Sequence, residues 1–271
     1  MSIIESAFLK NQKYDSQEQS NNRERSRKRK QNKNGSQTVT NQLSIREDIA
    51  AMSQVREFTK EEYSERGLIS RYLDDTNLMN EYRNMRTKLL AVGTKENFVT
   101  MITSVSPEFD ASLVTANIAS TFALDEGKTS VVINANGASE KSNDIFDTKT
   151  GLGLVDTLVS DVLPVEDIIY ETPVKRLRYI PIGNNPESSA EHFSDIRMKK
   201  TMESILERYD ERFIFINAPS IASSADTRIL LDVCERVILV VPYGMCTEDN
   251  IRQAVLAIGS EKLVGVILEE F

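Results

Sequence analysis

Short apolar runs alternate with longer amphipathic stretches from about residue 67 to the end of the chain. The runs are rich in Val and Ile and are apolar at consecutive positions, a pattern typical of strands buried on both faces. The predicted strands are Phe98–Val105, Ser130–Asn134, Leu177–Ile182, Phe213–Asn217, Val237–Val241 and Leu263–Leu268. The predicted helices are 75–90, Ser112–Ala123, Asp195–Arg208, Ser224–Cys234 and Glu248–Ile258. Strands separated by helices predict an α/β domain with a mostly parallel sheet and helices on both faces.

The first 66 residues lack this alternation, and we expect residues 67–271 to form the single globular domain. Residues 11–44 are almost entirely polar. They cannot bury enough apolar surface to offset the entropy of ordering, so we expect them to be disordered. Ahead of them, Ile4 and Phe8 fall on one face of a short predicted helix. Because so short a helix is marginal in water, we expect these two residues to contact a partner protein.

The net charge of −8 is distributed unevenly along the chain. Residues 21–33 contain seven basic residues and one acidic residue, so this arm carries +6 and the rest of the chain −14. The arm has three candidate roles, of which a solvated linker is favoured over contact with an anionic membrane, and membrane contact over nucleic acid. The residues expected to meet a membrane or another polyanion are Arg25, Arg27, Lys28, Arg29 and Lys30.

Composition narrows the class of protein further. Cys234 and Cys246 are the only cysteines, too few for a disulfide framework and without the spacing of metal ligands. The single histidine, His192, lies in a polar stretch and is expected at the surface. No run of about 20 apolar residues is present, and residues 1–10 do not have the pattern of a signal peptide. These features favour a cytoplasmic protein without a metal site.

Gly127, Lys128 and Thr129 look like the end of a phosphate-binding loop, but their position is wrong for one. Such a loop has another Gly five residues before its last Gly, where this chain has Phe122. It also opens a helix, whereas Gly127 follows a predicted helix and precedes a strand. We therefore interpret Gly127 as the end of a helix.

The turn with the correct polarity follows the first predicted strand, at residues 103–112. There the chain resembles the P-loop of the bacterial tyrosine kinases, which are ParA/MinD-like P-loop domains that act with membrane polysaccharide co-polymerases in exopolysaccharide and capsule assembly. The opening residues 1–5 are similar to the type found in exosortase-linked gene clusters. The resemblance spans roughly residues 67–268. Its segments are Arg83 with Arg86, Val131–Asn136, Gly151–Leu154, Ile180–Gly183, Asn185–Pro186, Glu207–Asp210, Phe213–Pro219, Asp226–Arg228 and Val264–Leu268.

The loop departs from the family pattern at the positions that would bind phosphate. The family reads Pro-Gly-Glu-Gly-Lys-Thr, where this chain has Pro107 followed by Glu108, Phe109, Asp110, Ala111 and Ser112. Both glycines and the lysine are absent, and the resemblance leaves only the magnesium-binding hydroxyl, on Ser112. Two carboxylates placed where a polyanion would sit are expected to repel ATP, at about 1–4 kcal/mol for each like-charge contact.

The two other nucleotide-binding motifs of the family have also lost their charged residues in this chain. The family carries Asp-x-Asp after the second strand and an Asp after the strand 213–217, where this chain has Asn134, Asn136 and Asn217. An amide keeps the shape of a carboxylate but lacks its charge, so it is a poor ligand for Mg²⁺. We therefore expect neither ATP nor Mg²⁺ to bind, and the resemblance then implies no catalytic residue.

Two further departures concern protein contacts. The Glu-x-x-Arg-x-x-Arg oligomerisation motif of the family appears as Asn80, Arg83 and Arg86, so ring assembly is placed in doubt while assembly with an intact relative is not. A solvated helix face is an equal interpretation of the two arginines. The C-terminal tyrosine cluster is absent, since Tyr243 is the last tyrosine.

These residues together predict a protein that is not an enzyme. The leading hypothesis is a cytoplasmic scaffold or regulator that docks on a membrane polysaccharide co-polymerase or on an active tyrosine kinase relative. The alternatives are an unconventional ATP-binding tyrosine autokinase and a ParA/MinD-like positioning adaptor that binds membrane or DNA through its basic arm.

Overall fold

The computed structural model describes residues 49, 52, 55–92, 97–139, 141–148, 151–160, 162–184, 186, 189–207 and 211–270. The predictions for Ile4, Phe8 and the basic arm, including Arg25, Arg27, Lys28, Arg29 and Lys30, lie outside these residues. Within them, no helix is both long and apolar enough to cross a membrane.

A mixed, mostly parallel sheet forms the centre of the fold. Its strands are β1 (Val99–Ser104), β2 (Thr129–Asn134), β3 (Tyr170–Glu171), β4 (Leu177–Ile180), β5 (Arg212–Asn217), β6 (Arg236–Pro242) and β7 (Leu263–Glu269). Their order across the sheet is β3-β4-β2-β5-β1-β6-β7, with only the short β3 antiparallel to its neighbour. The central strands β1, β2, β5 and β6 are buried at every position, which explains why they read as continuous apolar runs.

Helices cover both faces of this sheet. The helices are α1 (Lys60–Glu65), α2 (Thr76–Ala91), α3 (Ser112–Ala123), α4 (Lys141–Ile145), α5 (Leu154–Val159), α6 (Ser189–Phe193), α7 (Ile196–Glu207), α8 (Ala225–Leu230) and α9 (Glu248–Ile258). One apolar layer packs α1, α2 and α3 against the sheet, and the other packs α5, α7, α8 and α9. The predicted α/β class is therefore confirmed.

The local predictions differ from the structure mainly in the short elements. The helix predicted over Ser224–Cys234 ends at Leu230 and continues as a tighter turn at Leu231–Val233. Helices α1, α4, α5 and α6 and the two-residue strand β3 were not predicted. Each spans six residues or fewer, too short to display a hydrophobic period.

The folded unit begins earlier than the boundary at residue 67 that the sequence suggests. A compact unit spans Met52–Phe271, and Phe58 and Tyr63 lie in its core with 3% and 4% of their surface exposed. Their rings meet edge to face at 5.6 Å, and α1 begins with a capping box at Thr59. Two aromatic residues in an otherwise polar stretch anchor this segment, and they have no periodicity that a sequence pattern would reveal.

Arg236, the first residue of β6, joins the sheet to the end of α2. Its guanidinium group lies 3.5 Å from the centroid of the Phe98 ring and donates to the carbonyl oxygens of Leu89 and Val92. Arg236 is 4% exposed, and burial lowers its pKa to about 10. One side chain therefore satisfies carbonyls at the C-terminal end of a helix and stacks on an aromatic core residue.

We expect Arg236→Met to lower the free energy of unfolding by about 2–4 kcal/mol, because the two carbonyls lose their buried donors. Urea denaturation measures the change. Arg252→Met is the matched control, since Arg252 forms an exposed pair with Glu248 at 3.0 Å that contributes at most about 0.5 kcal/mol. Equal losses in the two variants would contradict the structural role of Arg236.

Candidate functional site

The carboxyl ends of β2, β5 and β1 lie at the same end of the sheet. There the loop 105–111 leads from β1 into α3. Asn134 at the end of β2 is the register partner of Asn217 at the end of β5. Ser112 is the first residue of α3. The parallel sheet thus brings together three separate segments that the sequence had marked as candidate site residues.

A carboxylate of the loop itself lies at the N-terminus of α3. Asp110 accepts hydrogen bonds from the backbone N–H of Ser112 at 2.9 Å, from the Ser112 hydroxyl at 2.5 Å and from the Ser139 hydroxyl. The N-cap residue is Ala111, which is buried and has no side-chain oxygen to offer. Because the N-terminus of a helix favours negative charge, Asp110 supplies the anion that this position attracts.

The asparagines continue this network below the loop. Asn217 donates from Nδ2 to the Ser112 hydroxyl at 2.9 Å and to Oδ1 of Asn134 at 3.2 Å. Asn134 in turn donates to the carbonyl oxygen of Ser139, and the Ser142 hydroxyl donates to the Ser112 hydroxyl at 3.0 Å. Both asparagines are about 1% exposed or less. Two neutral amides therefore join β2 and β5 at this point. Carboxylates at the same two positions would be buried close together without a cation to balance their charge.

Asn136 stabilises the loop after β2 without entering the centre of the network. Its backbone N–H donates to Oδ1 of Asn134 at 3.1 Å, and its own Oδ1 accepts from the N–H of Ala138 at 3.2 Å. The Oδ1 atom of Asn217 is buried and has no hydrogen-bond partner among the described residues. Sequence reasoning missed Ser139 and Ser142, which lie in an irregular polar stretch where no spacing distinguishes them.

A cleft of about 590 Å³ opens beside the loop. Its charged residues are Arg66, Glu108, Asp110, Lys141, Asp144 and Glu269, and its apolar residues include Leu113 and Met245. Burial raises the pKa of the Glu269 carboxyl. Glu108 is exposed at the rim, whereas Asp110 is partly buried and held by the network. The two carboxylates predicted from the loop sequence therefore have different environments.

The two arginines of α2 also differ. Arg83 is exposed, while Arg86 is half-buried and donates to the carbonyl oxygen of Thr121 on α3 at 3.0 Å. Arg86 thus has an intramolecular partner, and Arg83 is the member of the pair that faces solvent. Their predicted contact with another protein stays a prediction.

The arrangement of this sheet, with its loop and helix after β1, is a P-loop NTPase fold of the ParA/MinD-like type. No family model matches the chain. It is 26% identical over 189 residues to the putative tyrosine-protein kinase EpsB of Ralstonia solanacearum, which covers 69% of this chain and 25% of EpsB. It is 29% identical over 193 residues to the tyrosine-protein kinase CpsD of Streptococcus agalactiae serotype III, covering 70% of this chain and 82% of CpsD.

The solved BceF tyrosine kinase domain matches with a TM-score of 0.59 and 27% identity, over 70% of this chain and 75% of that domain. The chain is therefore a homologue of the bacterial tyrosine-protein kinases, and its structure matches their kinase domains. It spans only a quarter of the length of EpsB.

This homology corrects one prediction from the sequence. The expectation that the chain is not an enzyme is wrong, because the relatives are named as kinases and the matched structure is a kinase domain. That expectation relied on a few side chains at three strand ends. The homology extends over about 70% of the chain, far beyond those positions.

We expect Asp110→Ala to lower the free energy of unfolding by about 1–3 kcal/mol, because two hydroxyls and a backbone N–H at the start of α3 lose their acceptor. Glu108→Ala is the control in the same loop, and its exposed carboxylate should change stability by at most about 0.5 kcal/mol. Thermal and urea unfolding of the two variants measure the difference. A stable Asp110→Ala protein would show that the network does not hold the loop.

Proposed function

We propose that this chain acts in exopolysaccharide or capsule assembly as a tyrosine-kinase-like regulator. Its partner would be a membrane polysaccharide co-polymerase or a tyrosine kinase relative, at the cytoplasmic face of the membrane. The homology to tyrosine-protein kinases supports the class of protein, and the resemblance of the sequence to that family supports the link to polysaccharide.

The observation that carries this proposal is the position of the Asp110 carboxylate. It accepts from the N–H and hydroxyl of Ser112, the groups that a phosphate and its Mg²⁺ would use in a complete P-loop. Ala111 provides no cation to offset a second anion at this place. A polyphosphate would have to displace Asp110 or accept a like-charge contact costing about 1–4 kcal/mol. Phosphate binding at this loop is therefore expected to be weak, and contacts with the partner protein would carry the regulatory role.

The partner contacts would involve two parts of the chain. Arg83 presents an exposed cation on α2. The residues Ile4 and Phe8, and the basic arm with Arg25, Arg27, Lys28, Arg29 and Lys30, provide an apolar and a cationic segment ahead of the folded unit. A cationic segment gains about 1 kcal/mol for each basic residue near an anionic membrane surface. These segments would bring the domain to its membrane partner.

The second candidate function is an unconventional tyrosine kinase, and the cleft beside the loop favours it. Arg66 and Lys141 both line this cleft of about 590 Å³, next to Asp110. Two cations in this cleft could contact a nucleotide phosphate without the lysine that the loop lacks. The names of the relatives give this candidate additional support.

Calorimetric titration with ATP or ADP plus Mg²⁺ distinguishes the two candidates. If the Asp110 carboxylate keeps phosphate out of the loop and the cleft offers no other nucleotide site, the native chain will show no heat and no thermal stabilisation up to about 1 mM nucleotide. The triple variant Glu108→Gly, Asp110→Gly, Ala111→Lys should gain measurable binding, because it restores both glycines and the cation.

The double variant Glu108→Gly, Asp110→Gly is the control that separates opening of the loop from the added charge. It should bind more weakly than the triple variant. Micromolar binding of Mg-ATP by the native chain, lost in Lys141→Ala, would favour a nucleotide site in the cleft and would overturn the expectation that the Asp110 loop keeps nucleotide out.

A further inference from the structure

The strand β7 forms one edge of the sheet and is apolar from Leu263 to Leu268. Its inner side pairs with β6, and its outer side has no strand partner among the described residues. Val266 is 37% exposed and Leu268 is 58% exposed. Native proteins usually protect such an edge with charge, proline or a covering element, because unpaired backbone groups invite another strand.

The ladder to β6 shows which backbone groups of β7 point outward. The N–H of Tyr243 donates to the carbonyl oxygen of Glu269 at 2.8 Å, so the backbone groups of Glu269 face β6. Backbone groups alternate from side to side along a strand, and the irregularity of this pair lies earlier, near Val264. The N–H and C=O groups of Val266 and Leu268 therefore point away from the sheet.

The side chains of Val266 and Leu268 add an apolar surface to this edge. Their register partners are Leu239 and Val241, which pack into the core layer under α9. Side chains at paired positions share a face of the sheet, so Val266 and Leu268 lie on the α9 face. On α9 itself, Leu256 is 74% exposed. The edge thus combines unpaired backbone groups with an apolar strip on one face.

We propose that β7 pairs antiparallel with β7 of a second copy of this chain, with Val266 on the two-fold axis. In this register Val266 faces its own counterpart and Gly265 lies opposite Ile267, so no charged residue lies at the centre of the junction. The same register places Lys262 opposite Glu270. The Lys262 ammonium donates to the carbonyl oxygen of Leu231 and retains further donors for that carboxylate.

Alternative registers of the same two strands are less favourable. A shift that centres the pair on Ile267 places Glu270 opposite Val264 and removes the pairing with Lys262. A shift that centres it on Leu268 brings Glu269 opposite Ile267 and crowds the acidic ends of the two copies together. Self-complementarity at Val266 is the argument for a second copy as the occupant, rather than an unrelated strand.

The resulting dimer would join the two sheets into one continuous sheet. With the two-fold axis perpendicular to the sheet, both α9 helices lie on the same face of the joined sheet. This inference does not depend on the proposed function, because it uses the outward backbone groups of Val266 and Leu268 and none of the hydrogen bonds of the Asp110 network.

Sedimentation velocity over a range of protein concentrations tests the dimer. We expect a concentration-dependent dimer that Leu268→Lys and Val266→Pro each weaken by at least about tenfold in Kd. The proline removes an N–H that points outward, so it spares the ladder to β6. Val162→Lys is the matched control, since Val162 is 89% exposed and precedes β3 at the opposite edge of the sheet.

Hydrogen exchange of the native chain provides a second measurement that needs no variant. In a dimer, the amides of Val266 and Leu268 should gain protection as concentration rises, while those of Ile267 and Glu269 are protected throughout by β6. A monomer at all concentrations, or a dimer that tolerates both edge variants and leaves Val266 and Leu268 unprotected, would overturn the proposal.

Discussion

The three strands β2, β5 and β1 are buried on both faces, and this constraint sets the position of everything that the site contains. Parallel strands under two helical layers must end at the same edge, so residues far apart in the chain meet there. Asn134, Asn217 and Ser112 come from three separate segments, yet their side chains are hydrogen-bonded to one another. The apolar core thereby determines which polar groups become neighbours.

A parallel sheet buries the ends of its strands, and the polar groups there must find partners inside the protein. Here Asp110 accepts from Ser112 and Ser139, while the amides of Asn134 and Asn217 exchange hydrogen bonds without carrying charge. A carboxylate at each amide position would add negative charge beside Asp110. The neutral amides of Asn134 and Asn217 therefore suit a site that already contains the Asp110 carboxylate, and the hydrogen bonds of the network stabilise both.

The sequence predicted the long elements and the members of the site, but it did not predict their bonding. Strands such as Phe213–Asn217 are recognised because both faces are apolar, and α3 because it follows a strand with a polar turn. The roles of Ser139 and Ser142 required the fold, since hydroxyls in an irregular loop have no periodicity to identify them. Phe58 and Tyr63 were missed for the same reason, and the boundary at residue 67 was consequently set too late.

The error about enzymatic class has a different physical origin. The prediction interpreted Ala111, Asn134 and Asn217 as the loss of a nucleotide site, as if such a site were a fixed set of side chains. The binding energy of a nucleotide depends instead on all the charges that face it. Arg66 and Lys141 line the cleft next to Asp110, and neither belongs to the motifs that the sequence comparison weighs. The balance between the four carboxylates and the two cations that line the cleft decides whether phosphate can enter. That balance is a property of the folded arrangement, so motif degeneracy alone could not assign the chemistry.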